Sequence, residues 1–276
     1  MSDTVRLPAG TILYTDEGTG RPVVFVHGFL TNGKLWQKVV PPLVDAGFRC
    51  IVPDWPLGSH TIAMDPDADL SPPALVSLID EFLATLDLQD VVLVGNDTGG
   101  ALAQMLAARR PERVGMLVLT PCDAFRNWPA WWSKALRPIG YSQRAMKLIG
   151  LTLRLRAVQR LPWVYGWVVK RHPPPEVMRG WIEPGLGDVG VRRDFGKAFR
   201  ATRVSQTLEA ARALPRFGKP ALVVWQTERT YIYPVRHGRR LAELLRAPLE
   251  LVDDSYVYVP WDRPERLAEL IAIHAH

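Results

Sequence analysis

Cysteine is nearly absent. Cys50 and Cys122 are the only two in 276 residues, too few for a disulfide scaffold, so a reducing compartment is expected. No apolar run approaches the about 18 residues a membrane-spanning helix needs. The first residues, Met1-Ser2-Asp3-Thr4, carry neither the basic nor the apolar stretch of a secretory leader, and the expected location is the cytoplasm. Internal repeats and low-complexity segments are missing, which excludes solenoid architectures. No nucleic-acid-binding motif accompanies the basic residues, so nucleic acid is not an expected partner.

What is present suits a folded core: 47% hydrophobic and 22% charged residues, on a chain long enough for one large domain or two small ones. The net charge of +6 is unevenly placed. Residues 126–217 hold 18 Lys+Arg against 5 Asp+Glu, whereas the rest holds 16 against 23. Ser133 to Arg171 contains nine basic residues and no acidic one, with Leu, Ile, Val and Trp between them. A solvated helical face explains this pattern. So would steering of an anionic substrate, or contact with an anionic membrane surface.

Short apolar runs alternate with helical patterns. Val23 to Val26, Phe48 to Pro53, Val91 to Val94, Val114 to Thr120, Ala221 to Trp225 and Leu249 to Val252 read as strands. Asn32 to Ala46, the stretch after Ser71-Pro72, Gly99 to Arg110, Val235 to Arg246 and Arg263 to His274 read as helices, with Ser71 as an N-cap. Thr11 to Thr15 belongs to an N-terminal hairpin. Continuous apolar strands between helices predict an α/β fold, a mostly parallel twisted sheet with helices on both faces. The stretch 126–216 breaks the alternation. It is helical in pattern, interrupted by prolines, and holds Trp128, Trp131, Trp132, Trp163, Trp167 and Trp181. The expected organisation is a core of 1–125 and 217–276 carrying 126–216 as an inserted helical cap.

Gly95-Asn96-Asp97-Thr98-Gly99 follows a strand and opens a helix. A G-x-nucleophile-x-G turn of this kind pushes its central side chain above the strand ends and needs small neighbours. Here the central residue is Asp97, a carboxylate able to attack carbon and form an ester, or to move a proton. Together with His27-Gly28-Phe29-Leu30, Asp54-Trp55-Pro56-Leu57-Gly58-Ser59, Pro111-Glu112-Arg113-Val114 and Pro264-Glu265-Arg266-Leu267, this turn makes nearly the whole chain resemble the α/β-hydrolase superfamily. Within it, the resemblance is to the aspartate-nucleophile branch of haloalkane dehalogenases and epoxide hydrolases.

The resemblance implies a cofactor-free and metal-free hydrolase for a hydrophobic, potentially anionic small molecule. Asp97 would be the nucleophile, and the backbone N–H groups of Phe29 and Thr98 the oxyanion hole. It also implies an orienting acid, for which Asp123 and Glu228 are candidates; relatives carry an Asp about where Arg229 stands. The catalytic histidine is missing: its place falls on Val257, in Asp253-Asp254-Ser255-Tyr256-Val257-Tyr258. His60, in a loop bordering the pocket of this fold, is the replacement candidate, and His274 and His276 are read as tail residues. His27 is read as a loop histidine bonded to backbone rather than a proton carrier. The candidate substrate-binding residues are His27, Trp36, Tyr256, Val257, Tyr258, Tyr141 and Tyr165, and Tyr231 and Tyr233 are further hydroxyl donors. Dehalogenases usually place Trp directly after the nucleophile; Thr98 stands there instead. Without a histidine base an ester would accumulate, so a lyase, isomerase or cyclase using Asp97 for proton transfer is an alternative, as is a ligand-binding protein with a degenerate triad.

Overall fold

The computed structural model describes residues 2–128, 133–228 and 231–275, with backbone alone at 133–135. Trp131, Trp132, Arg229 and His276 lie outside the described residues. The strands are β1 (Ser2–Leu7), β2 (Gly10–Gly18), β3 (Pro22–Val26), β4 (Arg49–Pro53), β5 (Val91–Asp97), β6 (Val114–Cys122), β7 (Ala221–Gln226) and β8 (Leu249–Val252). The helices are α1 (Val40–Asp45), α2 (Pro72–Thr85), α3 (Thr98–Arg109), α4 (Gln143–Thr152), α5 (Arg156–Gln159), α6 (Pro175–Gly187), α7 (Val189–Arg200), α8 (Val204–Ala213), α9 (Val235–Leu245), α10 (Val259–Asp262) and α11 (Pro264–Ala275).

One eight-stranded sheet runs β1-β2-β4-β3-β5-β6-β7-β8. The hairpin β1–β2 is antiparallel, and β2 joins β4 antiparallel; from β4 onward all neighbours are parallel. Every residue of β7, and every residue of β5 before Asp97, is buried, as expected for strands covered on both faces. Helix α1 packs on α11, whereas α3 packs on α2 and α8. Among the described residues no helix is long and apolar enough to cross a membrane.

The sequence-predicted helix over Asn32–Ala46 is in fact a 3₁₀ turn, Gly33–Trp36, followed by the short α1. Pro41 and Pro42 explain the break, since neither has an N–H to continue a helix from upstream. Ser71 precedes α2, but its hydroxyl is turned back onto Asp69 at 2.9 Å and caps nothing. Between β6 and β7 the described residues form only helices and turns.

Candidate active site

The strand order reverses direction at β3 and β5, and side chains at their carboxyl ends open into a crevice, the usual ligand position in such sheets. Asp97 sits where β5 turns into α3, with φ 53. That left-handed backbone is strained for a residue with a Cβ and is tolerated only where surroundings over-determine it. Two glycines do so. A Cβ on Gly99 would collide with the carbonyl oxygens of Val26 and His27, and one on Gly28 would collide with the Asp97 carboxylate. The turn is therefore clamped against the end of β3.

Asn96 fixes the neighbouring loops. Its amide nitrogen lies 2.8 Å from Thr120 Oγ1, 3.1 Å from the Pro121 carbonyl and 3.0 Å from the Val257 carbonyl. Gln104, nearly two turns into α3, donates to the carbonyl of Asp123 at 2.9 Å. These bonds set Asp123 and the loop after β8 against Asp97.

The Asp97 carboxylate accepts from the Tyr233 hydroxyl and from the backbone N–H of Thr98. Tyr233 also hydrogen-bonds Asp123, and the Thr98 hydroxyl donates to Asp123 Oδ2 at 3.3 Å. Tyr233 thus stands between the half-buried Asp97 carboxylate and the buried Asp123 carboxyl. Burial pushes Asp97 up to about 6, against the lowering pull of its Tyr233 and Thr98 hydrogen bonds. Asp123 is pushed well above the carboxylate range, by burial first and then by the Asp97 charge. Both carboxyls therefore hold protons more tightly than free ones, Asp123 the more strongly, and the negative charge of the pair is favoured on Asp97.

Above this floor lies a cavity of about 550 Å³. Phe29, Thr98, Asp123, Tyr233 and Tyr258 line its base, and Tyr165, Trp181, Met146, Leu186, Phe195 and Phe199 from the helical segment form its walls. Phe195 stacks on Phe199 at 5.5 Å, and Phe29 meets both edge-on. Tyr165 donates to the Leu30 carbonyl at 2.9 Å, whereas Tyr258 lines the cavity with its hydroxyl bonded to no described residue. Burial and the Asp97 charge raise both phenols, so each stays protonated. Asp262 sets the Tyr258 loop. It accepts from the backbone N–H groups of Lys170 and Tyr256, each at 3.0 Å, and of Arg171 at 2.9 Å.

The structure therefore gathers Asp97, Asp123, Phe29, Thr98, Tyr165 and Tyr258 around one cavity. Other sequence candidates are committed elsewhere. His60 donates through Nε2 to the buried Asp194 on α7 at 3.2 Å and accepts from the Gly58 N–H, so it links helix to loop and does not line the cavity. His27 uses both ring nitrogens on backbone, Nδ1 to the Gly28 carbonyl and Nε2 from the Trp55 N–H, each at 2.9 Å. Burial lowers it to about 4, which keeps it neutral. Glu228 is paired with Lys170 at 2.6 Å, drawn outward by that ammonium.

Trp36 is fully buried against Phe25, inside the core beneath the site. Tyr256 lies under the Lys170 ammonium, and Tyr141 is 77% exposed beneath Arg200. Val257 is buried and contributes its carbonyl to Asn96 rather than a side chain to the cavity. Tyr231 is exposed and stacks on Trp167. No histidine lines the cavity among the described residues. Nor do the described residues contain a cluster of three or more His, Cys, Asp or Glu able to hold a metal. Sequence reasoning named Tyr233 only among several hydroxyl donors; its position between the carboxyls had no local signal. The cavity walls Phe195, Phe199 and Leu186 were not anticipated at all.

Residues 21–264 match the family model described as alpha/beta hydrolase fold. Over 120 residues the chain is 39% identical to a haloalkane dehalogenase of Mesorhizobium japonicum, a match spanning 43% of this chain and 38% of that protein. Among solved structures, it superposes on the haloalkane dehalogenase DbeA from Bradyrhizobium elkani with a TM-score of 0.79 at 20% identity, covering 100% of this chain and 97% of the other. The epoxide hydrolase CorEH gives a TM-score of 0.79 at 16% identity, covering 99% and 98%. At these identities the two structures establish the fold alone.

Proposed function

The chain belongs to the alpha/beta hydrolase fold family, and on that premise we propose that it is a hydrolase for an apolar, uncharged small molecule with a strained or activated carbon–oxygen bond, an epoxide being the chemistry that fits best. Asp97 acts as a general base toward water rather than as a nucleophile. One observation carries this reading: a tyrosine hydroxyl, not an imidazole, fills the space between Asp97 and Asp123. An ester on Asp97 would have no lining histidine to activate the water that must hydrolyse it. A carboxylate with its affinity for protons raised to about 6 is a competent base near neutrality.

The step balances as follows. Water gives a proton to Asp97 and its oxygen bonds to the substrate carbon. The carbon–oxygen bond breaks, and the departing oxygen takes the proton of Tyr258, which lines the cavity. Tyr258 then regains a proton from the Asp97 side, restoring both groups. The apolar walls exclude bulk water and select an apolar body.

A panel of aliphatic and aryl epoxides, followed by one turnover in oxygen-18 water, tests the reading. Direct attack by water puts the heavy isotope into the first diol molecule formed, and Asp97→Asn abolishes turnover. Unlabelled first product, or a stable mass adduct on Asp97, would mean that the carboxylate is the nucleophile after all. Tight binding of epoxides without turnover, unaffected by Asp97→Asn, would identify a binding protein instead.

A further inference from the structure

The outer surface of the helical segment departs from an ordinary water-facing surface. Eight of the twelve large hydrophobic residues exposed among the described residues fall between positions 136 and 163. Helix α4 shows the anomaly best. It carries Met146, Leu148, Ile149 and Leu151, yet only Met146 is buried, and Leu148 is 65% exposed. Leu155 at 60% and Trp163 at 56% continue the apolar surface beyond it. An isolated exposed leucine needs no explanation, but a cluster of this kind marks a contact surface.

This surface surrounds the cavity entrance. Leu136, Ile149, Leu161 and Trp163 are exposed to solvent and also line the cavity, so each belongs to its rim. Between the apolar residues stand exposed Arg144, Lys147, Arg156 and Arg160, none of which forms an ion pair with a described residue. No acidic residue occurs from Ser133 to Arg171.

We propose that this face docks the protein on an anionic lipid surface, with α4 and the Leu155–Trp163 stretch seated in the headgroup layer and the cavity mouth opening into it. The charge selects the occupant. Basic residues interleaved with Leu, Ile and Trp complement anionic headgroups while apolar side chains enter the acyl boundary. A symmetric contact with a second copy would set this acid-free, basic stretch against itself. Substrate would then enter from the lipid without crossing water.

Vesicle partitioning tests docking without reference to turnover, so it can fail while the hydrolase reading stands, and the reverse. The full-length protein is sedimented with vesicles of phosphatidylcholine alone and of a roughly three-to-one phosphatidylcholine–phosphatidylglycerol mixture. Binding is expected on the mixed vesicles, at least about tenfold weaker on the neutral ones, and lost as salt shortens the screening length toward about 3 Å. Arg144→Glu with Lys147→Glu should weaken partitioning by at least about tenfold. Leu148→Ser with Leu155→Ser should do the same through lost apolar insertion.

None of these four residues lines the cavity, so the melting temperature and the turnover of a freely dissolved substrate should stay at wild-type values. The proposal is overturned by absence of binding to the mixed vesicles, by equal binding to neutral ones, or by variants that bind as wild type does. A dimer by light scattering that the Leu148/Leu155 pair dissolves would overturn it too, assigning the face to a second copy.

Discussion

Tyr233 donates its hydroxyl to the Asp97 carboxylate from 136 positions further along the chain, and that bond opposes the effect of burial on its charge. Burial disfavours the ionised form; the phenol favours it. Removing the donor should therefore raise the affinity of Asp97 for its proton. In Tyr233→Phe the acid limb of the kcat/KM profile, expected near pH 6 in the wild type, moves to higher pH by about one unit or more. An unmoved acid limb with normal folding would detach Tyr233 from the reacting carboxylate.

Asp97 also costs stability. Its folded value lies near 6, above the ordinary 3.8. A carboxyl raised in this way gives its most favourable contribution below the unfolded value, and that contribution is lost as pH rises through the folded one. Asp97→Asn, which cannot ionise, should then be more stable than wild type by about 1–3 kcal/mol at pH 7–8, with the gap closing near pH 4. Chemical denaturation at both pH values measures it, and an unchanged gap would refute the assignment.

His60 and Asp194 join the loop after β4 to α7, both fully enclosed. Met64 and Arg193 supply the remaining bonds to that carboxylate. His60→Ala leaves Asp194 short of one donor, and the expected cost is about 1–3 kcal/mol of stability. Because His60 does not touch the cavity, the pH profile of turnover should keep the wild-type acid limb. A lost or shifted limb in a well-folded His60→Ala protein would return this histidine to the chemistry.

Phe195 and Phe199 present stacked rings to the cavity. Shortening Phe195 to alanine enlarges the space beside Phe29, so bulkier substrates should gain in kcat/KM relative to small ones. Compact substrates lose packing, and their KM should rise. A size series of one substrate class reads the effect, and a uniform drop across the series would exclude Phe195 as a size filter.

The sheet was legible because most of its core strands are short, continuous apolar runs that need no partner to be recognised. Val91–Val94 and Leu249–Val252 fall where sequence placed them. The Asp97 turn was legible for a local reason as well, since its glycines answer a steric demand of the turn itself. His60 and Glu228 show where such reading stops. Each occupies a plausible loop, but what a loop side chain does depends on which residue of a distant element meets it. Asp194 lies 134 positions from His60, and Lys170 lies 58 from Glu228. Tyr233 escaped emphasis for the same reason, one tyrosine among several near a strand end.

Asp262 has a consequence in time. The carboxyl pair is synthesised first, at 97 and 123, while its phenol partner stands at 233 and the residue that anchors the Lys170 stretch at 262. At about 5–20 residues per second, roughly 10–30 s separate Asp97 from Asp262 on the ribosome. For the last part of that interval, once α8 is complete, the helices that will enclose the cavity have been made, but the last pin that seats them has not. The nascent chain must keep its tryptophan-rich middle from aggregating until its final helices arrive.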